Sequence, residues 1–331
     1  MKLKIAPLLL LALILFIVIV FSTTIGTAHI SFATAAKIML AQIFSIEKNW
    51  SMREETIILG IRLPRVLLAA LVGAALATAG CAMQGLLKNP MADPYIIGMS
   101  SGAALGAALS FTLHLPTSLL SFITATITIF AVYRISKVGG RVPVATLLLS
   151  GIAIGSFLAA LTSLLIYMAR SPHQIIFWLM GGLWTSDWPK VRIASLMISI
   201  GIILLYRYSW NLNVMLLGEE QAQYLGINTE DVKRGVLVSS SLITAAAVSV
   251  SGIIGFVGLI IPHIMRIVTG PDHRILFPTS TLAGATFLVF TDTISRTILS
   301  PIELPVGIIT ASFGAPFFLY LLRKQGKKIH A

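Results

Sequence analysis

The sequence predicts an all-α integral membrane protein of about ten transmembrane helices, and three observations carry that prediction. Of the 331 residues 56% are hydrophobic and only 11% are charged, with a mean hydropathy of +0.93. A soluble domain is near a quarter charged, so this surface has too little charge to face water and must face lipid. Apolar runs of the roughly 20 residues that a bilayer demands recur along the whole chain. The charges, finally, gather at the ends of those runs, where helix anchors and topology signals belong. The net charge of +12 therefore does not indicate nucleic acid, because the basic residues form no single stripe with interleaved aromatics.

Taken in order, the runs fall at about 6–27, 63–83, 94–113, 117–136, 143–168, 190–208, 233–251, 253–270, 275–293 and 305–322. The first follows Lys2 and Lys4 and has the outline of a signal peptide. It is long, however, no small-x-small cleavage site follows it, and it reads as a retained membrane helix. The seventh and eighth runs share residues 233–270 and need a turn near Ser249–Gly255. Helices of about 17 residues reach only about 26 Å, just enough to span. Parity favours ten over nine. Lys2 and Lys4 mark one end of the chain, Arg323, Lys324, Lys327 and Lys328 the other, and both ends obey the positive-inside rule only if the count is even. The larger share of the 24 Lys and Arg residues then falls inside, with Arg134, Lys137 and Arg141 in the clearest inside loop. Small residues such as Gly73-Ala74-Ala75 and Gly102 to Gly106 recur within the runs and allow close helix packing in lipid. The chain reads as one transmembrane domain, 1–331.

The chemistry-bearing residues exclude more than they assign. All twelve acids lie in loops or at helix ends, with Asp292, at the end of helix nine, nearest the membrane interior. An ion-coupled secondary carrier, the principal alternative reading, needs a buried coupling carboxylate. No G-x-x-x-x-G-K-[ST] loop is present, so a pump built on this chain takes its energy from a partner. The six histidines make no i, i+4 pair and no cluster with the single Cys81, so no metal site, cofactor site or catalytic residue is expected. No serine sits in a G-x-S-x-G elbow, which leaves a membrane hydrolase unsupported.

One inside loop, about 211–234, stands out. Gly218 and Gly226 bracket a two-turn helix with Glu219 and Glu220 in its first turn, where the helix dipole favours acids. Ala222 and Leu225 are three apart and are expected to share a face. Asn228 or Thr229 can cap the next helix. A short, glycine-bounded amphipathic helix suits insertion into a partner's groove, although an ordinary structured loop would look the same.

This loop resembles the coupling loop of the iron-siderophore and cobalamin ABC-transporter permeases. Further motifs match in the right order from about residue 50 onward: RLPR at 62–65, GCAMQGLLKNPMADP at 80–94, GFVGLIIPH at 255–263, ELPVG at 303–307, and Gly314-Ala315-Pro316, expected to break helix ten. The resemblance implies ten helices, both termini in the cytoplasm at the cell (inner) membrane, and an inverted repeat of helices 2–5 and 7–10. It implies a homodimer or related heterodimer, two ATP-binding subunits below, one extracytoplasmic substrate-binding protein outside, and import of an iron chelate, haem, cobalamin or a molybdate-like oxyanion. Carried over by position, Gly218, Glu219, Ala222, Leu225 and Gly226 would contact the ATPase. Arg62, Arg65 and Arg296 would be outward-facing arginines that pair with acids of the binding protein, a geometry that suits arginine forks. Asn89 and Met91, together with Val144 and Ala145, would form the cytoplasmic gate. The last two are less polar than in cobalamin-carrying relatives, which leaves the substrate open.

Overall fold

The structure is a computed structural model that describes residues 5–26, 28–42 and 44–329. Ten long helices dominate: α1 (Ile5–Thr24), α2 (Met52–Leu86), α3 (Met99–Leu113), α4 (Thr117–Ile135), α5 (Val144–Met168), α6 (Trp188–Arg207), α7 (Thr229–Ser251), α8 (Val257–Thr269), α9 (His273–Thr297) and α10 (Val306–Ile329). Seven are long and apolar enough to cross a membrane. α3, α8 and the Val306–Tyr320 part of α10 are shorter apolar helices. No strand occurs among the described residues.

Helix starts follow from local chemistry. Asp187, Asn228 and Asp272 cap α6, α7 and α9 by accepting from backbone N–H groups of the first turn. Ser51 and Glu54 form a reciprocal capping box, so α2 begins at Met52 rather than near residue 63 as its hydropathy suggests. Its 35 residues reach about 50 Å, well beyond a bilayer core, so its first turns project from the bundle. There the helix widens into a π segment, Thr56–Arg62. A short helix, Phe32–Leu40, packs beside it through Ala35, Ile38 and Ile58.

α2 threads the centre of the bundle, and two glycine pairs make that possible. A Cβ on Gly73 would collide with the Gly284 carbonyl of α9, and one on Gly80 with the Gly258 carbonyl of α8. The two short helices share a device. α3 follows a non-helical segment and a 3-10 turn and starts from left-handed Gly98 (φ 79°). α8 follows the non-helical segment 252–255 and starts from left-handed Phe256 (φ 69°). The Tyr95 hydroxyl donates to the Ile254 carbonyl at 3.1 Å and joins the two interruptions. Such backbone is tolerable at membrane depth because protein, not lipid, surrounds it. This pairing of α3 with α8 is what an inverted repeat of helices 2–5 and 7–10 requires.

The expected break of α10 at Gly314-Ala315-Pro316 is absent: the helix runs through Pro316. Pro316 removes one N–H, whereas ending the helix in lipid would strand several backbone groups. Gly314 lies instead against the Phe256 ring.

Candidate functional site

Two polar regions lie at opposite ends of the bundle. The loop end carries the 211–234 segment, and the far end carries the joins α1–α2 and α9–α10.

At the loop end, the helix Ser209–Met215 is latched to the α8–α9 turn. Asn213 Nδ2 donates to Asp272 Oδ1 at 2.6 Å, and the His273 N–H donates to Asn213 Oδ1 at 2.9 Å. Asp272 also pairs with Arg274 at 2.7 Å, and those hydrogen bonds hold its carboxyl well below the usual carboxylate range. Gly218 (φ 139°) and Gly226 (φ 81°) then bracket a short helix, Glu219–Tyr224. Asn228, not Thr229, caps α7. Ala222 and Leu225 do not share a face, since Ala222 is wholly buried while Leu225, past the last helical residue, is 65% exposed beside Tyr224 at 90%. The helix is held by one face and presents its end outward.

Glu219 is tied inward as well. Lys233 Nζ, on the buried side of α7, meets Glu219 at 2.7 Å and Glu230 at 3.1 Å. Glu230 Oε2 in turn accepts from the Val142 N–H at 3.2 Å. This run of contacts leads from the short helix to the residue two positions before Val144, the half-buried first residue of α5, with Ala145 exposed next to it. Sequence reasoning passed over Lys233 because a lysine one turn into a helix looks like an ordinary interfacial anchor.

Asn89 and Met91 occupy the tight turn after α2, where Asn89 Oδ1 accepts from the Met91 N–H at 2.9 Å. Met91 and Pro90 line a small void together with Leu259 and His263 of α8 and Phe318 of α10. Gln84, near the end of α2, donates to the Leu259 carbonyl at 2.9 Å.

At the far end, the guanidiniums of Arg62, Arg65 and Arg296 are buried and bonded within the chain. Arg62 donates to the carbonyls of Thr23 (3.2 Å), Thr24 (2.8 Å) and Ala28, closing the C-terminal end of α1. Arg65 bonds Asp292 at 3.0 Å and Glu303 at 2.7 Å. Arg296 pairs with Asp292 at 3.1 Å and donates to the Ile25 carbonyl and the Ser22 hydroxyl. Asp292 has no exposed surface and lies more than a turn inside α9, deeper than its sequence position suggests. A carrier could use such an acid, but this one is already matched by two arginines. A cavity of about 170 Å³ opens in front of Arg62, Arg65 and Glu303.

Among the described residues no group of three His, Cys, Asp or Glu side chains could hold a metal.

Residues 13–324 match the FecCD transport family. The chain is 49% identical over 270 residues to the cobalamin import system permease protein BtuC of Halobacterium salinarum, covering 80% of this chain and 73% of that one. It is 38% identical to the hemin transport system permease protein HmuU of Yersinia pestis over 97% of both chains. A solved structure described as an inward-facing conformation of a metal-chelate type ABC transporter superposes with a TM-score of 0.85, at 33% identity, over 96% of this chain and 98% of that one. The fold and these relatives thus define a multi-pass, non-enzymatic permease subunit of an ABC importer, which works with ATP-binding and permease partners. The chain belongs to the FecCD transport family.

Proposed function

We propose that this permease carries an iron chelate (a siderophore or haem), cobalamin or a related substrate into the cytoplasm. The loop end faces the cytoplasm together with both chain termini, in the cell (inner) membrane. Two copies, or one copy and a related chain, enclose the path. Two ATP-binding subunits dock on the loop end, around Gly218, Glu219, Ala222, Leu225 and Gly226. One substrate-binding protein docks on the far end, where its acids reach Arg62, Arg65 and Arg296 through the small cavity in front of them. Asn89, Met91, Val144 and Ala145 close the path on the cytoplasmic side.

The observation that carries this reading is the glycine-bounded helix Glu219–Tyr224. Its exposed end suits a partner's groove, and Lys233 links its root to the loop before Val144. A push on the helix is then passed to the start of α5, one of the packed two-state rearrangements by which transporters switch access.

Gentle detergent purification of the tagged chain from its own cells, followed by mass spectrometry, tests the assignment. An ATPase and a solute-binding protein are expected in the eluate, and the ligand held by that binding protein names the substrate. Recovery of the chain alone under several mild conditions, with uptake that survives ATP depletion but collapses with an ionophore, would move the protein to the secondary carriers.

A further inference from the structure

The inside-loop cations Arg134 and Lys137 find no use in the transport path, yet the fold brings them to a common place with a third. A cleft of about 910 Å³ lies at the loop end between α4 and the end of α6, floored by α7. Arg134 from α4, Lys137 from the loop just after it and Arg234 from α7 line it. All three are exposed, and among the described residues none makes an ion pair. Asp231, which also lines the cleft, is engaged by the Asn228 amide at 2.6 Å. Three cations thus face one carboxylate that already has a partner.

The walls change character with depth. Tyr133 and Tyr208 line the cleft beside the cations, and the Tyr208 hydroxyl rests against Gly235, where any side chain would displace it. Aromatic residues with a polar tip favour this level of a bilayer. Away from the loop end, the α4 wall continues as Phe130, Ile127 and Ile123, three and seven residues apart on one exposed stripe. Beyond Tyr208, the α6 wall continues as exposed Leu204 and Ile200. A charged mouth at headgroup level, open to apolar lanes of membrane-facing side chains, matches an amphiphile with an anionic head and acyl tails.

We propose that this cleft binds an anionic phospholipid of the cytoplasmic leaflet, with its phosphate among Arg134, Lys137 and Arg234 and its acyl chains along the α4 and α6 stripes. Basic pockets between membrane helices on that side suit such headgroups. The site is separate from the translocation path, and its occupancy can be measured without transport.

Native mass spectrometry of the detergent-purified full chain tests it, with phosphatidylglycerol, phosphatidylcholine of the same acyl chains, or glycerol phosphate added. The wild-type chain is expected to hold phosphatidylglycerol in preference to phosphatidylcholine, and excess glycerol phosphate should not displace it. Each cation removed should weaken phosphatidylglycerol binding about fivefold. Lys137→Gln, in an exposed loop where folding is not at stake, should show one such step, and the combined Arg134→Gln, Lys137→Gln and Arg234→Gln variant should lose the preference. Equal binding of both lipids by the wild type, or a preference retained in the triple variant, overturns the proposal. Displacement by glycerol phosphate would make this a site for soluble phosphate compounds instead. A triple variant that keeps its lipid but no longer co-purifies the ATPase would assign the basic cleft to protein docking, and the lipid proposal would fall.

Discussion

The two ends of the bundle use the same residue types to opposite effect. At the far end, Arg65, Arg296 and Asp292 are enclosed, and Arg62 closes α1 through backbone carbonyls. Charges withdrawn from water hold together only when each has its partners, so this end behaves as a bolt through α1, α2 and α9. At the loop end, Lys233 is as secluded, but its partners Glu219 and Glu230 remain partly open to water. Beyond them Tyr224 and Leu225, at the end of the short helix, are exposed. The ion pairs are similar in length at both ends. What differs is the enclosure: Asp292 has no exposure, while Glu219 and Glu230 keep part of theirs, which on the proposed function would separate a fixed joint from one that passes on a push.

The comparison is broken most directly at Asp292. Asp292→Ala leaves the buried Arg296 guanidinium without a carboxylate and Arg65 with Glu303 alone, and should destabilise the fold by about 3–5 kcal/mol. The reading is the thermal unfolding midpoint in detergent, and a loss below about 1 kcal/mol would mean that water reaches the cluster.

Lys233→Met should act differently. Stability should fall by only about 1 kcal/mol, because the two acids can rehydrate. Uptake by the reconstituted transporter should drop about tenfold while ATP hydrolysis continues, since the link between the short helix and the α4–α5 loop is cut. Lys233→Arg should restore most of the uptake. If hydrolysis and uptake decline in parallel, Lys233 is a packing residue and the far-end and loop-end clusters are alike after all.

A smaller disturbance should follow Tyr224→Ala combined with Leu225→Asp. Both side chains are exposed, so the unfolding midpoint should stay within about 0.5 kcal/mol of wild type, while the ATPase should no longer co-purify. Retention of the ATPase would remove this face from the docking surface.

How much of this was legible beforehand depends on the range of the interaction involved. Hydropathy marks helices because burial in lipid acts on each residue separately, so the ten runs and the glycine brackets of the 219–224 helix could be read locally. Caps extend helices beyond their apolar runs, which is why α2 starts at Met52 although its hydropathy begins near residue 63. Partners distant in sequence were hidden. Arg65 finds Asp292 across 227 positions, and Val142 finds Glu230 across 88. The direction of a side chain was hidden too. Arg62, Arg65 and Arg296 have the composition of a docking rim, and only the closure of α1 and α9 around them shows that they are first spent inside the chain. Pro316 misled because a proline ends helices in water, where the alternative backbone can be hydrated.

The slightest change that still distinguishes the two ends is at Asp272, which caps α9 at the loop end. Its carboxyl titrates well below the usual range, chiefly through hydrogen bonds from Arg274. A depressed pKa stabilises the fold above the unfolded value of about 4, and that contribution disappears only as pH falls through the folded value. Asparagine caps as well as aspartate, so Asp272→Asn removes the Arg274 charge pair alone and should cost about 0.5 kcal/mol. Asp272→Ala also loses the cap and should cost about 1 kcal/mol. The gap between wild type and Asp272→Asn should be constant from pH 8 to pH 5 and should begin to close only below about pH 4. Thermal midpoints taken across that range decide the matter. A gap that closes between pH 8 and pH 5 would show that some other group, with an ordinary histidine-like titration, governs this joint, and that Asp272 is not what secures the loop end to α9.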